Sequence, residues 1–441
     1  MESTARVLPI RNRAAIMDNW LEKRLDTLLG PLMEECGIDM WIVAGQEENE
    51  DCVIKTMLPF SELGRTSRFT ILLFYRREDG TVERLLVSRP NLAYSRFYRA
   101  VHLNDVNSED TLFTKMTPEK FAKPVGEVSK PETQMECLKR IIDERNPKVI
   151  GLNYSQTDNY GDGLSHGAYT TIVEGMGAEN AKKVVSAEKL CVRWLETRLP
   201  EEIAAYKGLV SLTAELIKDG LSEKAIHPGV TTCEDLTWWM MQRCEDLHLG
   251  LVFPFSISVK RQGATGLGDD TVIQEGDLVH CDGGARYLGL VSDMQHNSYV
   301  LRREETEPPK GIQDLFNLGR RVQHIIAGEI KLGRTGNEVL AASLERCKEE
   351  GISALIYSHP IGNYVHCAGP TIGLFSKQSF IKNHGEHKIN NNTCFAVEFC
   401  VIGEIPEWDN QKNMMLFETD VVVQDGKVEF YYEQPCLHLV K

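Results

Sequence analysis

The chain has 441 residues, of which 42% are hydrophobic, so two or three packed domains are expected and a disordered polymer is excluded. A formal net charge of -15 argues against binding to a phosphate backbone, and no run of about eighteen apolar residues is present to span a membrane. The early charges of MESTARVLPIRNRAAIMDNW do not make a signal peptide, and 12 scattered cysteines without a CxxC pair suit reduced thiols, so a cytoplasmic location is expected.

Residues 13–35 carry Trp20, Leu21, Leu25, Leu28, Leu29 and Leu32 at helical spacing, with Gly37 as a stop signal. Residues 40–43, 69–75, 82–87 and 149–152 read as strands, with a Glu78-Asp79-Gly80 turn between the second and third, and residues 134–144 as a helix. This mixture predicts an α/β N-terminal domain over residues 1–185. It gathers no cluster of catalytic residue types, and its expected roles are dimerisation and covering an active site. A boundary falls at residues 186–199. Pro200, Glu201 and Glu202 then open a helix with proline early and acids in the first turn. Further helices are predicted over 233–247, 310–330 and 337–349; Thr232 with Asp235, and Thr335 with Glu338, form capping-box patterns. Strands are predicted over 251–260, 277–284, 288–301, 393–401 and 414–431. Residues 186–441 therefore read as an α+β domain, an antiparallel sheet covered by helices.

Five residues in this second domain suit the ligand set of a paired metal centre: Asp282, Asp293, His359, Glu398 and Glu418. Four carboxylates in one pocket raise one another's pKa and are costly to bury unless cations balance them. A tight turn centred between Tyr287 and Leu288 would pair 282 with 293 and deliver two acids side by side. In FAVEFCV, Glu398 alternates with apolar neighbours, and pairing it with Glu418 puts the midpoint at Trp408, inside the turn-like IPEWDNQK. An acid in so apolar a strand is a sharper signal than one in a loop. His359 and His366 lie in YSHPIGNYVHCAGP, where proline and glycine prevent a regular helix. Each feature also has a plain reading: unrelated acids near a turn, edge glutamates facing water, a satisfied core histidine. Nitrogen and oxygen donors without thiolate suit Mn, Co, Zn or Fe.

Together these segments resemble the pita-bread metallopeptidases, a family that includes methionine aminopeptidase, aminopeptidase P and prolidase, with metal-free creatinase as a relative. GDLVHCDGGARYLGLVSDMQ resembles the motif of the two aspartates and SHPIGNYVHCAGP the histidine motif. CFAVEFCV and LFETDVVV resemble the strands of the two glutamates, and WLETRLPEEIAAYKGLV the opening helix. The N-terminal domain is similar, more loosely, to that of aminopeptidase P, prolidase and creatinase. The resemblance implies a homodimeric hydrolase of small peptides with two divalent ions per chain, Mn first among them. It implies cleavage of an Xaa-Pro bond by an aminopeptidase or dipeptidase. Glu398 would be both ligand and proton shuttle, and His366 a hydrogen-bond donor to the substrate.

The chain departs from the family pattern at four places. Thr265 stands where a histidine is common, Leu416 where proline-specific members carry arginine, Cys367 where an acid follows the second histidine, and Gln295 where a threonine is usual. These departures keep open a non-peptidase C–N hydrolase or lyase acting on a small metabolite. A binding protein that kept the fold would be expected to have lost ligands, and none is lost. His280, on the face of Asp282, and His296 flank the first motif and are candidates for the missing roles.

Overall fold

The first helical stretch is two helices rather than one, Ile10–Thr27 and Leu29–Glu35. The break at Leu28 has a local cause: Pro31 has no N–H to give the Thr27 carbonyl, and its ring crowds the preceding turn. The structure is a computed structural model, and it describes residues 7–88, 91–101 and 132–441. The chain divides into two units, one of Ile10–Leu195 and the other of Glu196–Lys441 with the residues before Ile10.

The first unit is built on β1 (Met40–Gln46), β2 (Phe69–Arg76), β3 (Val82–Leu86), β4 (Arg99–Ala100), β5 (Ile150–Leu152) and β6 (Val184–Ser186). They form a mixed sheet in the order β4-β3-β2-β1-β5-β6, antiparallel where β2 meets β1 and β3 and parallel at the other contacts. The β2–β3 turn uses Gly80 at φ +83, a left-handed conformation that glycine adopts without a Cβ clash. On one face Met40, Ile42, Ile71 and Leu73 pack against Leu138, Ile141 and Ile142 of the helix Gln134–Arg145 and Ile172 of His166–Gly175. The former helix opens with a Thr133–Glu136 capping box. On the other face Trp41 lies 5.8 Å from Phe74 and 6.5 Å from Trp194, and its indole N–H donates to Asn153 Oδ1 at 2.7 Å.

The second unit holds β7 (Gly250–Leu251), β8 (Ser256–Lys260), β9 (Leu278–Gly283), β10 (Ala285–Tyr287), β11 (Leu290–Val291), β12 (Met294–Val300), β13 (Ser353–Ile356), β14 (His359–Ile361), β15 (Thr393–Ile405), β16 (Gln411–Gln424), β17 (Lys427–Phe430) and β18 (His438–Val440). The main sheet runs β13-β15-β16-β12-β9-β8, with β14 on β15, β17 on β16 and β18 on β12; all pairs but β12–β18 are antiparallel.

Side-chain alternation gives this sheet two unlike faces. Phe395, Val397, Phe399 and Val401 on β15, with Met415 and Phe417 on β16, meet Ile312, Leu315, Phe316 and Val322 of the helix Lys310–Glu329 and Val339 and Leu340 of Gly336–Glu349. Phe399 and Phe417 stack at 5.3 Å, and Gly319 lets the long helix approach the Phe417 ring. The intervening positions of β15 and β16 face the other way and include Glu398, Glu418 and Asp420. This is the α+β architecture expected for residues 186–441.

Candidate metal centre

The pairing of Glu398 with Glu418 is the register that a midpoint at Trp408 predicts. The first hairpin differs. Its turn is centred between Leu288 (φ 53) and Gly289 (φ 75), so Asp282 faces Gln295 and not Asp293. Two successive residues at positive φ make the tight turn whose twist matches the flanking strands. Leucine is an unusual occupant, and the expected turn lies one residue too early for that reason. The slip is two residues along β12, so Asp293 keeps its face and still reaches the centre.

Because β12 also pairs with β16 at Gln295 and Glu418, one row of side chains crosses the sheet: Ser256, Asp282, Gln295, Glu418, Glu398. His359 sits opposite Ala396, two residues from Glu398, and its ring enters the same space. His359 Nε2 lies 3.4 Å from Glu418 Oε1, 3.8 Å from Glu398 Oε2 and 3.9 Å from Asp293 Oδ2. Its Nδ1 is 3.1 Å from the Pro360 carbonyl, which can only accept. The proton is therefore on Nδ1, and Nε2 offers its lone pair to the acids. Asp293, His359 and Glu418 offer ligand atoms within 4.8 Å of one another. His366 lies at the exposed edge, its ring perpendicular to that of His359 with centroids 4.5 Å apart.

Burial pushes the Asp282 carboxyl up to about 7, and burial with the neighbouring Asp282 charge pushes Glu398 up to about 8. Asp293 and Glu418 are raised well above their ordinary range, first by burial and then by the surrounding carboxylates. His359 is held down at about 4, chiefly by burial and then by His366. Among the described residues these acids make ion-pair contacts only with His359. Asp282 Oδ1, Asp293 Oδ1, Glu418 Oε1 and His359 Nε2 are buried without a hydrogen-bond partner. Native interiors seldom leave such atoms unsatisfied. Unpaired oxygen and imidazole lone pairs converging on one space fit divalent cations, which would also reverse the unfavourable charge.

Three neighbours complete the surroundings. Asp420, buried on the same face as Glu418, accepts from the Asp293 backbone N–H at 3.1 Å. Its spacing of two from Glu418 is legible in the sequence, yet the expectation passed over it. Gln295 donates from Nε2 to Glu398 Oε1 at 2.6 Å and Glu418 Oε2 at 3.0 Å. His280 lies behind it, Nε2 at 3.0 Å from Gln295 Oε1 and Nδ1 at 3.3 Å from Ser258 Oγ. His296 points to the other face, stacked on Tyr432 at 5.3 Å with Nδ1 3.3 Å from His438 Nε2. Of the other departures, Thr265 is exposed, Cys367 is buried with its N–H on the Pro360 carbonyl, and Leu416 follows the row one position down the site face.

No curated protein matches the chain in sequence. Solved structures share its fold. An X-Pro aminopeptidase from Thermotoga maritima aligns at TM-score 0.62 and 17% identity, covering 93% of this chain and all (100%) of that one. A dipeptidase from Pyrococcus horikoshii aligns at 0.59 and 16% identity, covering 96% and 99%. An Xaa-Pro dipeptidase from Bacillus anthracis aligns at 0.57 and 17%, covering 97% and 100%. Residues 207–425 match metallopeptidase family M24, a span that contains Asp282, Asp293, His359, His366, Glu398 and Glu418. With its two-part architecture and its sheet-borne acid cluster, the chain belongs to metallopeptidase family M24, the pita-bread metallopeptidases.

Proposed function

We propose that this chain is a dinuclear metal-dependent hydrolase, an aminopeptidase or dipeptidase acting on Xaa-Pro bonds of small peptides. The observation that carries the reading is the set of buried, partnerless donor atoms on Asp282, Asp293, His359 and Glu418 around one space. Those residues with Glu398 would hold the ions, with Mn first, as the family resemblance implies, and Co, Zn or Fe as alternatives that the donor set suits equally. When bound, two such ions would activate water for attack at neutral pH and would polarise the scissile carbonyl. Glu398 takes up a proton on its carboxylate and delivers it to the leaving nitrogen. His366, exposed beside His359, donates a hydrogen bond to the substrate carbonyl oxygen. Residues 1–185 would form a separate domain serving dimerisation. The 12 free cysteines support a reducing, cytoplasmic setting.

Leu416 on the site face and Gln295 inside the acid row favour a second reading, a C–N hydrolase or lyase of a small metabolite. The test compares metal-loaded and chelated protein on Xaa-Pro dipeptides, longer Xaa-Pro peptides and N-alkyl amino acids. Metal-dependent turnover of the first two groups, lost in Glu398→Ala, supports the peptidase. Turnover of the last group alone supports the second reading. Protein that takes up no Mn or Co and gains no activity from either defeats both.

A further inference from the structure

On β8 the apolar Ile257 and Val259 are buried, and alternation leaves Ser256, Ser258 and Lys260 on the face that carries Asp282 and His280. The sheet curls at this end. Gln262 Nε2 donates to the Glu407 carbonyl at 3.3 Å, the Gly263 N–H to Gln411 Oε1 at 2.7 Å, and Gln411 Nε2 to the Arg261 carbonyl at 3.2 Å. The end of β8 therefore meets the tip of the β15–β16 hairpin, although β9 and β12 separate them in the sheet. The curl brings Lys260 over the site face, within electrostatic range of the Cys400 thiol. Cys400 pairs with Leu416, one row beyond the Glu398–Glu418 pair. Burial lowers the Lys260 ammonium, and among the described residues no carboxylate pairs with it.

Tyr357 reaches the same place from the opposite edge. Its N–H donates to the Glu398 carbonyl at 3.1 Å, and Phe375 meets its ring edge-on at 5.2 Å. Its hydroxyl is buried beside the Cys400 thiol and has no oxygen or nitrogen partner. A cation and a hydroxyl donor, both drawn from water and neither matched by an acid, thus flank Leu416 and Cys400, which bring no charge of their own. Their position relative to the cut follows from β15. His359 stands opposite Ala396, on the other side of Glu398 from Cys400. A substrate whose carbonyl oxygen meets His366 and whose leaving nitrogen meets Glu398 lays the residue after the cut over Leu416 and Cys400. That residue's nitrogen and its own carboxylate are about 3.5 Å apart. An ammonium contact of about 2.8 Å beyond the carboxylate then falls close to one row spacing, about 7 Å.

We propose that Lys260 and Tyr357 hold a carboxylate on the residue directly after the cleaved bond, so that the site takes dipeptides with a free carboxyl terminus in preference to longer peptides. This rests on the hydrolase reading above and selects between its dipeptidase and aminopeptidase forms. Mn-loaded full-length protein is assayed on Ala-Pro, its amide and Ala-Pro-Gly. The dipeptide should lead in kcat/KM by about 10- to 100-fold, the worth of hydrogen bonds to a charged group. Calorimetry should show L-proline bound more tightly than L-prolinamide by a similar factor. Lys260→Met should lower kcat/KM for the dipeptide mainly through KM and bring acid and amide together in both assays. Lys260→Gln serves if the methionine variant does not fold, and Lys260→Arg should keep part of the preference. Tyr357→Phe should narrow the preference by about tenfold, and a preference unchanged there removes Tyr357 from the assignment. General damage to the fold lowers all three rates together and leaves the preference in place. If N-alkyl amino acids alone turn over, the same comparison is made between those acids and their amides. Equal turnover of acid and amide by the unmodified protein, or a preference that persists in the Lys260 variants, overturns the assignment and leaves the hydrolase standing. Absence of metal-dependent turnover of every one of these substrates defeats the hydrolase, and this inference with it.

Discussion

Stripping the metals should make the stability of the second unit depend on pH in a direction opposite to ordinary acid denaturation. The perturbation is a chelator; the groups concerned are the acids of the row. Without cations, burial raises the Asp282 carboxyl from 3.8 to about 7. Below the lower value folded and unfolded chains both keep the proton. Between the two values the unfolded chain releases it and the folded one does not, so stability falls as pH rises. Above the folded value both are ionised and the full cost stays. A span of roughly three pH units corresponds to about 4 kcal/mol. Glu398, raised from 4.5 to about 8 partly by Asp282, extends the window upward but titrates with its neighbour, so the two costs do not add. In the loaded protein the carboxylates are ionised against cations throughout. Urea unfolding of chelated and Mn-loaded protein between pH 5 and 8 reads the difference. The gap should widen with pH, with the chelated protein losing stability toward pH 8. Parallel curves, or a chelated protein that gains stability over this window, would refute the idea that uncompensated buried acids define the centre.

Other tests address packing. Gly319→Ala puts a Cβ about 2 Å from the Phe417 ring, 2.1 Å from its nearest atom, and the ring is fixed by its stack on Phe399. The helix must shift, costing about 1–3 kcal/mol by chemical denaturation, and an unchanged midpoint would contradict that packing. Asn153→Ala removes the acceptor of the buried Trp41 indole N–H. A loss of about 1–3 kcal/mol in the unfolding of the Ile10–Leu195 unit is expected, and a neutral result would mean that water replaces the amide.

The two hairpins explain how far the chain could be read. In the second, apolar residues alternate on both sides of Glu398 and Glu418, and the loop carries proline and asparagine, so pairing and midpoint constrain each other. In the first, the turn leaves only Gly289 as a marker, while the left-handed residue before it is a leucine. A glycine fixes a turn to within a residue or so, and one residue of turn position moves a cross-strand partner by two. Asp282 and Asp293 share a face despite that slip because sheet faces repeat every two residues; a slip of one would have turned Asp293 to the other face.

The return strand of the first hairpin falls inside the strand predicted over 288–301, but its burial was the hardest feature to read, for a reason that also accounts for the site. Met294–Val300 runs MQHNSYV, a composition suggesting a wet edge, yet every residue is buried and the strand lies mid-sheet between β9 and β16. Several of its polar groups find partners far away in sequence. Asn297 donates to the Leu416 carbonyl at 2.8 Å, Gln434 closes on the Asn297 backbone at 2.7 Å and 3.0 Å, and His296 meets His438. Hydropathy scores a residue by what it prefers alone, and cannot register a partner more than a hundred residues away. A strand that must stand between two acid-bearing strands, however, needs donors directed at carboxylates, and a hydrophobic strand would leave those acids with neither water nor hydrogen bonds. The polarity that hides β12 as a core element is thus what qualifies it for the centre. Gln295 is the residue where both demands meet, buried like a core side chain and donating to Glu398 and Glu418.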